Sequence, residues 1–309
     1  MSAYHIQRKI RIDATQNRVN AAIRDFNEWP KWSPWLCMEK NVDLKYQGQP
    51  GKPGHGYQWE GKMVGAGGME MTSTSDENHE MLLTFLKPFK SRANVIMNVI
   101  AVGEDETDVT WHMHGKLPFF MFFMLNTMKA MIGSDYDRGL KMLKDYVETG
   151  DVQSDIELVG VVETDPFSYV GVNASCSIGD IGESMNSLME ASMELIETEK
   201  LIVSGPPGAV YHDVDFVEQK CRYILMNQVD SVEGIKNGEI GSVSRVKAIK
   251  VIHKGSYRHL GNAWSAAMSY LRYQKLKPYK TESPFELYLN DPNDTDDGDL
   301  ITEIFVPIR

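Results

Sequence analysis

Apolar and polar residues alternate with period two from about Val42 to Gly115, and Gly, Pro, Asn and Asp interrupt the alternation at intervals. That pattern predicts consecutive antiparallel strands, with a loop at Gly48–Gly54 and hairpin turns at Asp76–Asn78 and Gly103–Glu106. Ahead of it, Tyr4–Ile12 predicts a short strand and Ala14–Phe26 a helix, with Asp13 in position to cap it. An aromatic, proline-rich corner follows at Trp29–Trp35. From Phe120 to Thr149 the spacing turns helical, with Phe123, Leu125, Met128, Met131, Ile132, Leu140, Leu143 and Val147 on the apolar side. Gly133 and Gly139 weaken the middle of that helix. One long helix lying across a curved antiparallel sheet is an α+β solution that leaves space between the layers.

A short polar stretch, Glu148–Asp155, reads as a linker, giving expected domains at 1–149 and 156–309. Beyond it the pattern repeats. Val170 and Val172 begin one unit and Val246 to Ile249 a second. Each leads into a helix, Met185–Ile196 and His259–Arg272, and each then opens a strand after proline. Pro207 and Tyr211 match Pro284 and Tyr288 at a common offset of 77 residues. Two strand–helix–strand–strand units of this kind predict a pseudo-two-fold pair with a cleft between them.

The second unit also carries the most unusual charge. Glu286 stands between Phe285 and Leu287, where burying an unpaired carboxylate is costly. Tyr288 shares its strand face. The bland alternative is a carboxylate at a sheet edge reaching water; the flanking apolar residues favour one that faces a ligand. Tyr211 joins it through the repeat. Tyr257 precedes a helix and Trp264 lies on it, where a core role and a pocket-wall role are equally open. In the last strand Ile304, Val306 and Ile308 make the better core set, which leaves Glu303 and Phe305 facing the cleft.

Other signals carry less. His112 and His114 share one strand face as a metal pair would, but no third ligand stands at a useful spacing, so exposed histidines and no metal are expected. Gly65-Ala66-Gly67-Gly68 lacks the Lys-Ser/Thr of a phosphate loop and reads as a turn or bulge. The Met-rich stretch Met121–Met142 reads as adaptable core. Nothing places a Ser, His and Asp together as a triad.

Charge sharpens the contrast between the halves. Residues 1–150 hold 18 basic and 18 acidic residues, whereas 151–309 hold 14 and 25, so the whole net charge of −11 lies in the second half. Phosphate contacts need Lys and Arg, so nucleic acid is not an expected partner. An acidic surface serves solubility, and it also attracts cations. Cys37, Cys176 and Cys221 are odd in number and widely spaced, which suits reduced thiols and a cytoplasmic setting. The N-terminus lacks an apolar leader, and the longest apolar run, Leu117–Leu125, is broken by Pro118 and too short for a bilayer. No membrane association is expected.

Ala14…Val19…Ile23-Arg24-Asp25…Trp29-Pro30-Lys31-Trp32-Ser33-Pro34-Trp35, with Gly139-Leu140…Leu143-Lys144, resembles the START-like superfamily (SRPBCC, polyketide cyclase/dehydrase) over about residues 1–149. The resemblance implies a helix-grip fold around a hydrophobic cavity, and no catalytic pattern travels with it. His253-Lys254-Gly255-Ser256-Tyr257, Ala263-Trp264, Phe285 to Pro292 and Leu300 to Ile308 resemble the gyrase-inhibitor-like domain over about residues 156–309. This is also the effector-binding domain of multidrug-responsive transcription activators. It implies a concave aromatic pocket for bulky drug-like molecules, with a central carboxylate falling on Glu286. The regulators' winged-helix DNA-binding segment is not visible in this sequence, and some relatives hydrolyse reactive molecules in the same pocket.

The expected function is therefore recognition of apolar or cationic small molecules, without a cofactor, through aromatic stacking and charge neutralisation at Glu286. One alternative is a hydrolase with Glu286 as general base and Tyr288 or Tyr211 as proton donor. A second is a module that sequesters a protein partner.

Overall fold

The structure, a computed structural model of the chain, describes residues 2–87, 89–117 and 123–309. It is α+β throughout and divides into two compact units, 1–152 and 153–309.

In the first unit seven antiparallel strands form one sheet in the order β1-β7-β6-β5-β4-β3-β2. The strands are β1 (Ser2–Ile12), β2 (Asp43–Gln47), β3 (Gly56–Glu60), β4 (Ala66–Thr74), β5 (Asn78–Lys87), β6 (Ser91–Ala101) and β7 (Thr107–Leu117). Helix α1 (Gln16–Arg24) is capped by Thr15 rather than Asp13: the Thr15 hydroxyl accepts from the Arg18 N–H at 3.3 Å, with extended backbone at Thr15. The Asp13 carboxylate is engaged elsewhere, pairing with Lys144 at 3.0 Å. In the glycine run, the register of β4 against β5 shifts between Ala66 and Gly67.

Helix α2 (Leu125–Thr149) closes the sheet, burying Tyr136, Leu140, Met142, Leu143 and Val147; the expected start at Phe120 lies outside the described residues. Between helix and sheet the aromatic corner is packed into the core. Trp29 and Trp32 are fully buried, and their indole N–H groups donate to Ile23 O (3.0 Å) and Ala22 O (3.3 Å). Trp111 stacks on Tyr136 with centroids 4.2 Å apart. The space that a helix grip leaves is thus occupied at these positions by the protein's own rings. Among the described residues no helix is long and apolar enough to cross a membrane.

The second unit is an eight-stranded antiparallel sheet, β12-β9-β11-β10-β14-β15-β13-β8. Its elements are β8 (Ser154–Glu163), β9 (Phe167–Ser177), α3 (Ile181–Glu199), β10 (Gly208–Asp215), β11 (Lys220–Val229), β12 (Glu239–Val243), β13 (Lys247–Gly255), α4 (Gly261–Tyr273), β14 (Phe285–Tyr288) and β15 (Ile301–Pro307). The order is symmetric about the β10–β14 junction, where the two repeats meet. There Tyr211 N–H donates to Pro284 O and Tyr288 N–H to Pro207 O, both at 2.9 Å. These four residues are the 77-offset equivalents, so the local two-fold axis is visible in reciprocal bonds. It passes between Ala209 and Glu286, which are equivalents of each other and direct partners. The outer strands are exchanged: β8, from the first repeat, pairs with β13, and β12, from the second, with β9.

Candidate functional site

Antiparallel partners share a sheet face, so the register decides what surrounds Glu286. Ala209 and Ile304 flank it on the neighbouring strands, and Tyr288, two residues on, faces the same way. Tyr211 arrives on that face from β10, two residues beyond Ala209. Helices α3 and α4 cover it, contributing Met185 and Trp264 to one apolar cluster with Tyr211, Tyr223 and Tyr288.

At the centre Glu286 is 1% exposed. The Tyr288 hydroxyl donates to its Oε2 at 2.9 Å and the Tyr211 hydroxyl to the same oxygen at 3.1 Å. The Trp264 indole N–H donates to Oε1. Among the described residues none of its partners is a cation. Burial pushes the Glu286 pKa up and the three hydrogen bonds pull it down; burial wins, and the value is raised. Burial, with Glu286 adjacent, also lifts the Tyr211 and Tyr288 hydroxyls well above the ordinary phenol value, so both stay protonated donors. Rings complete the wall. Tyr211 meets Trp264 edge-on at 5.3 Å, and Tyr257 meets Tyr288 at 5.5 Å. Tyr257 is pushed up to about 12, first by burial and then by Glu286.

Five of the expected site residues therefore come together: Glu286, Tyr288, Tyr211, Trp264 and Tyr257. Glu303 and Phe305 do not join them. Phe305 pairs with Phe285, and Glu303 with Leu287, on the opposite face of the sheet. There the Phe285 and Phe305 rings stack at 4.7 Å, and Glu303 is bound to Lys250 at 2.7 Å. The expectation treated one face of β15 as core and the other as cleft, whereas both faces of this strand are packed. Met185 and Tyr223 also belong to the cluster; the Tyr288 hydroxyl lies 3.3 Å from Met185 Sδ, and Tyr223 donates to Ser184 Oγ at 2.8 Å. Their signal was the apolar side of α3 and the alternation of β11.

A separate open groove of about 450 Å³ runs beside α3, lined by Asn173, Glu194, Leu195, Asn237 and Glu239. It includes none of the residues around Glu286. Cys176 and Cys221, remote in sequence, face each other across β9 and β11 as free thiols.

Residues 159–309 match the family described as GyrI-like small molecule binding domain, and residues 3–148 the family described as polyketide cyclase / dehydrase and lipid transport. The chain carries a polyketide-cyclase-like domain followed by a GyrI-like domain. The Glu286 cluster lies wholly within the GyrI-like, small-molecule-binding domain. Similar solved structures include the EcmrR C-terminal domain, at 19% identity over 51% of this chain and 99% of that one, with a TM-score of 0.43. SAV2435 bound to tetraphenylphosphonium is 18% identical over 48% of this chain and 92% of that one, TM-score 0.39. TTHA0849 from Thermus thermophilus is 15% identical over 48% and 100%, TM-score 0.36. No curated protein matches the chain.

Proposed function

We propose that the GyrI-like domain binds bulky apolar cations, with Glu286 neutralising the charge and Tyr211, Tyr257, Trp264 and Tyr288 enclosing the apolar body. The observation that carries this reading is a carboxylate, 1% exposed, whose described partners are all neutral. An ionised carboxylate in such a site is undercompensated, and a cation among aromatic rings supplies ion pairing and cation–π attraction together. The acidic excess of the same half of the chain, 25 against 14, draws cations toward it. Because Glu286 is covered, entry requires side chains such as Trp264, Tyr288 and Met185 to move aside.

The test is Glu286→Gln, which keeps shape and removes charge. Affinity for a hydrophobic cation such as tetraphenylphosphonium, measured by calorimetry, falls by about 1–3 kcal/mol, while a neutral aromatic isostere binds unchanged. Equal loss for both probes would reduce Glu286 to a structural role. The raised pKa of Glu286 beside two protonated tyrosines also supports a second reading, a hydrolase with Glu286 as base and a tyrosine as acid. Turnover of an electrophilic ester or epoxide that vanishes in the Gln variant would favour it over pure binding.

A further inference from the structure

The outward face of the N-terminal sheet holds three histidines, His5 lying more than a hundred residues from His112 and His114 in the chain. Pairing of β1 with β7 sets His5 directly opposite His114 and diagonal to His112. The inward neighbours Ile6 and Met113 are buried in the core, so the histidines sit on the opposite, solvent side. His5 and His114 are exposed and His112 half-buried. One ring nitrogen of each lies within 4.8 Å of the other two, and His5 Nε2 is 3.1 Å from His112 Nδ1. The rings are nearly parallel, His5 over His114 with centroids 4.2 Å apart and 5° between planes.

We propose that His5, His112 and His114 form a binding site for one divalent transition-metal ion, of which zinc is the type, with the fourth coordination position open. Three atoms no more than 4.8 Å apart share a point within about 2.8 Å of each, against the roughly 2.0–2.1 Å of a zinc–imidazole bond. An imidazole ligates in its own plane, so closing that gap also requires the stacked rings of His5 and His114 to tilt toward a common point, by turning about their Cα–Cβ and Cβ–Cγ bonds. The exposed rings of His5 and His114 turn without disturbing the core. Three nitrogens without a carboxylate or thiolate suit zinc, nickel or copper and disfavour magnesium and calcium. Neutral imidazole is the ligating form. The Lys129 ammonium of α2, close enough to act on His5, opposes a dication and so weakens the site. The consequence for the fold is a clamp, since β1 is the edge strand of its sheet and the ion ties it to β7.

The plain alternative is three stacked rings sharing a proton through the His5–His112 bond. Titration calorimetry of the tag-free full chain, stripped with chelator, separates the two. Zinc should bind at one ion per chain, cobalt should give the visible absorption of a four-coordinate nitrogen-rich site, and zinc should raise the thermal midpoint. Each of H5Q, H112Q and H114Q should weaken zinc by roughly tenfold or more, and the triple variant should lose the site and the thermal shift while folding normally in chelator. Absence of saturable binding overturns the proposal. So does binding that survives in the triple variant, which would place the ion on surface carboxylates.

Discussion

Glu286 holds its proton to higher pH in the folded chain than in the unfolded one, because burial outweighs its three hydrogen bonds. From the ordinary carboxylate range (about 4.3) up to the raised value, the native state binds more protons, so this group makes stability fall as pH rises. His253, in the same unit, acts in the opposite sense. It is fully buried, with Nε2 3.0 Å from Ser154 Oγ, and burial pushes its pKa down to about 4. Between that value and the ordinary 6.5 the unfolded state binds more protons, so His253 makes stability rise with pH across the window. Glu286→Gln removes one slope and leaves the other. Denaturant unfolding from pH 4.5 to 6.5 should show a steeper rise for the variant than for the parent chain, and parallel profiles would mean that Glu286 ionises normally. Glu286 could be recognised in the sequence because a charge between Phe285 and Leu287 breaks the apolar pattern. Glu303 could not be assigned its side, since alternation separates the faces of a strand without saying which face is empty when both are packed. His5 escaped notice for another reason: it is 107 residues from His112, and only the β1–β7 register joins them.

Helix α2 shows why local propensity and tertiary packing disagree. Gly133 and Gly139 both cost helix stability relative to alanine, by about 1 kcal/mol each. At Gly139 an added Cβ would lie 2.9 Å from the Trp111 ring and 3.0 Å from Pro34, two rigid groups in the core. At Gly133 it would meet the Arg8 guanidinium, the far end of a flexible side chain that pairs with Asp137 at 2.8 Å. Gly139→Ala should therefore destabilise the N-terminal unit by about 1–2 kcal/mol net, overpacking outweighing the helix gain. Gly133→Ala should be near neutral or slightly stabilising, since Arg8 swings away from a half-exposed pair of little worth. Thermal melts of the two variants decide it; equal effects would mean that the Trp111–Pro34 contact yields as easily as Arg8. The helix itself was legible from its spacing. The reason for its glycines was not, because Trp111 and Pro34 reach it from distant strand and corner positions.

At the scale of the whole GyrI-like unit, the duplication constrains both the site and the way the unit holds together. The pseudo-two-fold axis runs between Ala209 and Glu286, and directly opposed residues in a sheet have Cβ atoms only about 4.5–5.5 Å apart. Two carboxylates there would repel and compete for the same donors, so a symmetric fold carries one central charge with a small residue as its mate. The offset of Pro207 and Tyr211 against Pro284 and Tyr288 made the repeat readable. The exchange of outer strands was not, because the alternation of β8 fits any sheet edge. Yet β8 completes the second repeat, pairing from Lys247↔Glu163 to Gly255↔Ser154 and burying Ile156. A boundary at 156 or 159 cuts into it. A fragment of residues 153–309 should fold as a cooperative unit. One of residues 164–309 should lose roughly 3 kcal/mol or more, about 6–12 °C in melting temperature, from missing ladder bonds and the lost apolar contact. It should also self-associate through the bared edge of β13. If the shorter fragment melts with the longer one and stays monomeric, β8 is an appendage and each repeat holds itself together without the exchanged strand.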